Sequence, residues 1–135
     1  MKNKIFIAID TNSKKKARSI ISQSNIKNFK IGYKFGLEFL NSKNGRNFIS
    51  TLKNKTIFVD LKLNDIPNTM SSAVIALKDL NINYLTVHIS SGLKALKQVK
   101  KVSGKTCAEQ PDVTCDGQAT DRYDSRLVQN TFYAH

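Results

Sequence analysis

No stretch of the chain approaches the roughly 20 apolar residues that a membrane-spanning helix needs. The apolar part of the opening segment MKNKIFIAID is too short for a secretory signal, and an acid interrupts it. The expectation is a cytoplasmic protein with no membrane partner. Cysteine is scarce: Cys107 and Cys115 are separated by seven residues, and no second Cys or His pair completes a zinc pattern. Free thiols suit a cytoplasmic chain. Acids are also few, ten Asp and Glu against 22 Lys and Arg, which leaves a net charge of +12. Such an excess marks nucleic-acid binding when it gathers into a patch. Here it is spread along the chain, mostly as Lys and often beside Asn, with a single run at Lys14–Lys16. No aromatic-interleaved basic patch and no nucleic-acid motif are present. The charge therefore reads as a solvated, Lys-rich surface that could also draw in a small anionic substrate. Neither GxGxxG after the first apolar run nor GxxxxGK[ST] occurs, which argues against dinucleotide and P-loop folds.

A different absence divides the chain. Residues 107–135 contain no Lys, no Ile and one Asn, whereas residues 1–106 are rich in all three. The charge changes sign at the same place. Arg122 and Arg126 stand against five acids, a net of −3, so the first 106 residues carry +15 of the +12 total. The tail shows little periodicity and scatters Gly, Pro, Asp and Thr, as a loop or disordered segment does. Two regions are expected: residues 1–106 as one domain, and 107–135 as a tail foreign to it, as a frame shift or a join would produce.

What is present in residues 1–106 is a rhythm. KIFIAI (4–9) is apolar and β-branched, a predicted strand. Residues 13–25 follow as a helix, with Ser13 as cap and Ala17, Ile20, Ile21 and Ser24 on one face. FKIG (29–32) is a short second strand, and a helix is predicted near 45–53. TIFVDL (56–61) is the third strand. Pro67 then suits a first helical turn, and Met70, Ala73, Val74 and Leu77 share a face. YLTVHI (84–89) is the fourth strand, before a helix over about 91–102. Strands at intervals of about 25 residues with helices between them predict a parallel sheet, either doubly wound or part of a barrel.

The polar residues fall at strand ends. Asp10 ends the first predicted strand, Lys30 lies in the second, and Asp60 and Lys62 end the third, with Asp65 just beyond. His88 ends the fourth. In parallel α/β folds the strand C-terminal ends face the ligand. An Asp after one strand is ordinarily a helix cap, and a lone His is ordinarily structural; their coincidence on one rim predicts a chemical cluster.

Through AID (8–10), FKIG (29–32), DLKLNDIPNT (60–69) and TVHISSG (86–92), residues 4–105 resemble the orotidine 5′-phosphate decarboxylase family. The D-x-K-x-x-D motif followed by IPNT is its specific part. The related hexulose-phosphate synthases share D-x-K-x-x-D without that continuation. The resemblance implies a (β/α)₈ TIM barrel, of which only the first four βα units are present, acting as a homodimer without metal or cofactor. It implies conversion of orotidine 5′-phosphate to UMP in pyrimidine biosynthesis. By resemblance, Lys62 is the proton donor, Asp60 lies beside the substrate carboxylate, and Lys30 joins the charged network. Asp10 holds the ribose hydroxyls. Asp65 reaches the neighbouring subunit's site, with Thr69 helping to bind the nucleotide there, and Ile66 is a substrate-binding residue. His88 matches a family position to which no role is assigned.

A full barrel needs about 250 residues, and the later family residues that grip phosphate and pyrimidine find no match in 107–135. The chain is expected to be inactive alone. Two other readings stand beside this one: a metal-dependent sugar-phosphate lyase or synthase of the same superfamily, and a basic binding protein without chemistry.

Overall fold

In the computed structural model, the described residues are 4–24, 26–103 and, as backbone, 131–134. Two units are distinguished. One comprises residues up to Leu61 together with Asp79–Asn83, the other Lys62–Lys78 and Tyr84 onward.

The first unit carries β1 (Lys4–Ala8), α1 (Lys14–Gln23), β2 (Lys30–Gly36), α2 (Leu37–Asn41), α3 (Gly45–Ser50) and most of β3 (Thr56–Leu63). β1 pairs parallel with β2, and β2 parallel with β3. Helix α1 begins where expected, because the Ser13 hydroxyl accepts the Lys16 backbone N–H at 3.4 Å and closes an otherwise open donor. Ala17 and Ser24 of the predicted face are buried, and Ser24 Oγ lies 2.9 Å from the buried Tyr33 hydroxyl. Ile57, Phe58 and Val59 are all buried, as a strand covered on both faces requires. Phe35, Phe39 and Phe48 form an aromatic chain with centroid separations of 5.0 and 5.4 Å.

Glycine is dictated at one crossing point. Phe6 of β1 and Phe58 of β3 meet edge to face at 5.3 Å, and Gly32 lies on the intervening β2. A Cβ there would sit 2.5 Å from Phe6 Cε1. The Phe6 ring occupies the volume a side chain would need. At the start of β3, Ile57 is held twice: its N–H donates to Asn83 Oδ1 at 2.8 Å, and its carbonyl accepts the Asn83 N–H at 2.9 Å.

The second unit carries the end of β3, α4 (Pro67–Ala76), β4 (Tyr84–His88), α5 (Leu93–Ser103) and β5 (Thr131–Ala134). Pro67 occupies the first turn of α4, where its missing N–H costs nothing. Helices α4 and α5 pack together, and Gln98 Nε2 donates to the buried Ser71 hydroxyl at 3.1 Å.

The βα succession is as the periodicity predicts, with three additions. β2 continues through Tyr33–Gly36, well past residue 32, because Tyr33 and Phe35 are buried on one face. The short α2 follows it directly. β5 pairs antiparallel with β4, a strand that the composition of the tail did not announce. The rest of the tail, residues 107–130 and 135, lies outside the described residues, and with it the expectation that this segment is foreign. Among the described residues no helix is long and apolar enough to cross a membrane.

Candidate functional site

In the first unit, the C-terminal ends of the three parallel strands bring polar groups to one rim. Ile9, just past β1, donates its N–H to the Lys34 carbonyl at 2.8 Å. This fixes the exposed Asp10 beside the end of β2. Across the next pair, Gly36 stands opposite Asp60 in register. The Asp60 carboxylate accepts a hydrogen bond from Lys34 Nζ at 3.2 Å. The Asp60 side chain is only 11% exposed and that of Lys34 33%, so the pair is held largely out of water.

Lys34 thus reaches Asp60. Lys30 is the first residue of β2, exposed, and opposite Lys4 at the other end of the strand. Lys30 and Lys34 point to the same face because a strand alternates with period two. Four residues of strand separate them by about 13 Å, and the pairing register selects the second. The sequence pattern ends the second strand at residue 32 and so leaves Lys34 outside it; the alternation of Tyr33 and Phe35 is the signal that carries the strand on.

In the second unit, Lys62 is the next to last residue of β3 and has φ 49°. Its N–H donates to Thr86 Oγ1 at 2.8 Å. Asp65 is exposed, and its carboxylate accepts the N–H of the adjacent Ile66 at 2.7 Å. Ile66 is 65% exposed, a large apolar side chain turned to solvent, and Thr69 is exposed in the first turn of α4. His88 ends β4, half-buried, with its carbonyl accepting the Ser91 hydroxyl at 2.6 Å. Among the described residues no group of three His, Cys, Asp or Glu side chains could hold a metal ion.

Residues 3–114 match the model of the family described as orotidine 5′-phosphate decarboxylase / HUMPS. That match runs past the composition break at 106 and stops short of β5. The chain is 39% identical over 104 residues to orotidine 5′-phosphate decarboxylase of Prochlorococcus marinus strain AS9601, covering 75% of this chain and 41% of the relative. It is 40% identical over 114 residues to the Wolbachia enzyme of the same name, covering 83% and 49%. A crystal structure of orotidine 5′-monophosphate decarboxylase from Methanocaldococcus jannaschii, complexed with the inhibitor BMP, is similar with a TM-score of 0.64 and 27% identity, over 77% of this chain and 48% of that one. The chain therefore spans about half the length, or less, of these relatives.

Proposed function

Because the chain belongs to the orotidine 5′-phosphate decarboxylase / HUMPS family, and because its first half-barrel motif ends in the DIPNT continuation, we propose that it supplies the charged half of a site that converts orotidine 5′-phosphate to UMP. The observation that carries this reading is the grouping on β3: Asp60 held by a lysine and, two residues on, Lys62 in a strained backbone conformation.

The chemistry needs such groups. Loss of CO₂ from the pyrimidine ring leaves a carbanion with no adjacent electron sink. A fixed ammonium stabilises that charge as it develops and then donates the proton; Lys62 takes this part. Asp60 faces the departing carboxylate and is relieved as CO₂ leaves, the contested ground-state contribution. Lys34, at 3.2 Å, holds the Asp60 carboxylate in place. The resemblance gives Lys30 a place in the same charged network. Asp10 binds ribose hydroxyls. Asp65, Ile66 and Thr69 act on the site of a second copy, a reading supported by their exposure. The setting proposed for this activity is the cytoplasm.

The test is a chimera in which residues 3–103 replace the matching part of the Wolbachia relative, assayed by loss of orotidine 5′-phosphate absorbance. Turnover is expected, and Lys62→Ala should remove at least a thousandfold of it, in line with losing both a proton donor and an electrostatic stabiliser. Undiminished turnover in Lys62→Ala would overturn the assignment. The family description also names HUMPS; for the alternative of a metal-dependent sugar-phosphate lyase or synthase, sensitivity of the chimera to EDTA would favour that branch, and insensitivity the decarboxylase.

A further inference from the structure

Five non-glycine residues among those described have positive φ: Asn28, Asn44, Asn54, Asn81 and Lys62. The four asparagines lie outside strands, in turns or at a helix cap. Asparagine tolerates that region because its short polar side chain can hydrogen-bond locally. Lysine has no such compensation, and Lys62 sits inside a strand. A left-handed residue breaks the strand's alternation and turns its N–H away from a regular ladder. Something else must accept that N–H.

The acceptor is Thr86 Oγ1, at 2.8 Å. Thr86 is the central residue of β4 and only 1% exposed. A β-branched side chain in a strand has restricted χ1, so its hydroxyl is a rigidly placed acceptor. Strained backbone persists only where the surroundings over-determine it, and a buried, stiff hydroxyl on the strained N–H does this. We propose that Thr86 is a positioning residue for Lys62. Its hydroxyl holds the lysine backbone left-handed and so sets the direction in which the ammonium projects. The proposal deepens the reading of Lys62 as proton donor and rests on it for its functional meaning. It assigns no chemistry to Thr86 itself.

The experiment uses the 135-residue chain, labelled with ¹⁵N, and two NMR observables at Lys62. The first is the strong intraresidue HN–Hα cross-relaxation of a left-handed residue. The second is amide exchange relative to exposed Asn64. In the wild type, Lys62 should show the strong cross-peak and exchange about tenfold or more slowly than Asn64. Thr86→Val, similar in shape but without the acceptor, should lose both. Thr86→Ser, which keeps the hydroxyl, should retain both. Leu85 and Val87 should stay protected in Thr86→Val, since a merely structural threonine would loosen all of β4 together. Retention of both signatures in Thr86→Val overturns the proposal, as does general loss of β4 protection. If Thr86→Val does not fold, the other two chains decide: a wild-type Lys62 amide exchanging like Asn64, or loss of the cross-peak in Thr86→Ser, overturns it. Neither observable reads turnover. An inactive chimera would therefore count against the decarboxylase reading and leave this result intact, while a free Lys62 amide would do the reverse.

Discussion

A lysine at φ 49° is disfavoured by about 1–2 kcal/mol relative to ordinary backbone. Glycine adopts the same conformation without a Cβ clash but loses more entropy on folding. Lys62→Gly should therefore raise stability by about 0.5–1 kcal/mol, read as the urea midpoint, while removing turnover in the chimera. A lower midpoint would mean that Lys62 is not strained. Asn54→Gly, at φ 60°, should shift the midpoint little, because asparagine already fits. The two lysines of β2 give a second residue-level contrast. Lys34→Met removes a charge-assisted hydrogen bond from the largely buried Asp60 carboxylate and should cost about 1–2 kcal/mol, the value of such a bond reduced for the exposure of Lys34. Lys30→Met, at an exposed strand start, should stay within about 0.5 kcal/mol. Measured with Asp60→Asn in a double-mutant cycle, coupling should appear with Lys34 and not with Lys30; the opposite pattern would overturn the pairing of Lys34 with Asp60.

Among the elements, β2 shows how neighbours limit a single position. Gly32→Ala places a methyl against the Phe6 ring and within 3.3 Å of Thr56 Cγ2. Overpacking of this kind costs about 1–3 kcal/mol. Gly36→Ala, on the same strand with nothing within 4 Å of the added carbon, should be neutral or slightly stabilising. Thermal melts of the two variants distinguish the cases, and equal behaviour would show that Phe6 does not lie across Gly32. The turns into the strands follow a common device. Asn28, Asn54 and Asn81, all left-handed, precede β2, β3 and β4 by two or three residues. The Asn-rich composition of residues 1–106 thus has a local structural use.

At the scale of the molecule, the family to which residues 3–114 belong and the exposure of Asp65, Ile66 and Thr69 lead to a mixing experiment. Asp65→Asn and Lys62→Ala chimeras should each be nearly inactive. Mixed and re-associated, they should recover part of the activity, since one site of a mixed dimer would draw both intact residues from different chains. No recovery, with mixed dimers shown to form, would place Asp65 in its own subunit's site. β5 supplies a separate test. It lies beyond the family match and runs antiparallel beside β4, whereas successive barrel strands are parallel. Deleting residues 131–135 should speed amide exchange at Leu85–His88, the residues in register with it. Unchanged exchange there would mean that β5 contributes nothing to β4.

The sequence by itself determined the succession of strands and helices, because period-two and helical apolar patterns, the Ser13 cap and Pro67 act over a few residues. It also determined which carboxylates and ammonium belong to the D-x-K-x-x-D motif, since these are contiguous on one strand end. Only the tertiary structure brought Lys34 to Asp60. Lys30 and Lys34 share a face, and the choice between them is a matter of register, which non-local strand pairing sets. The same holds for Lys62, whose left-handed backbone depends on a hydroxyl 24 positions along the chain, and for β5, whose four residues are a strand only through β4. Local pattern carries the energy of elements, but register, strain and edge pairing arise from contacts between segments that the chain order does not bring together.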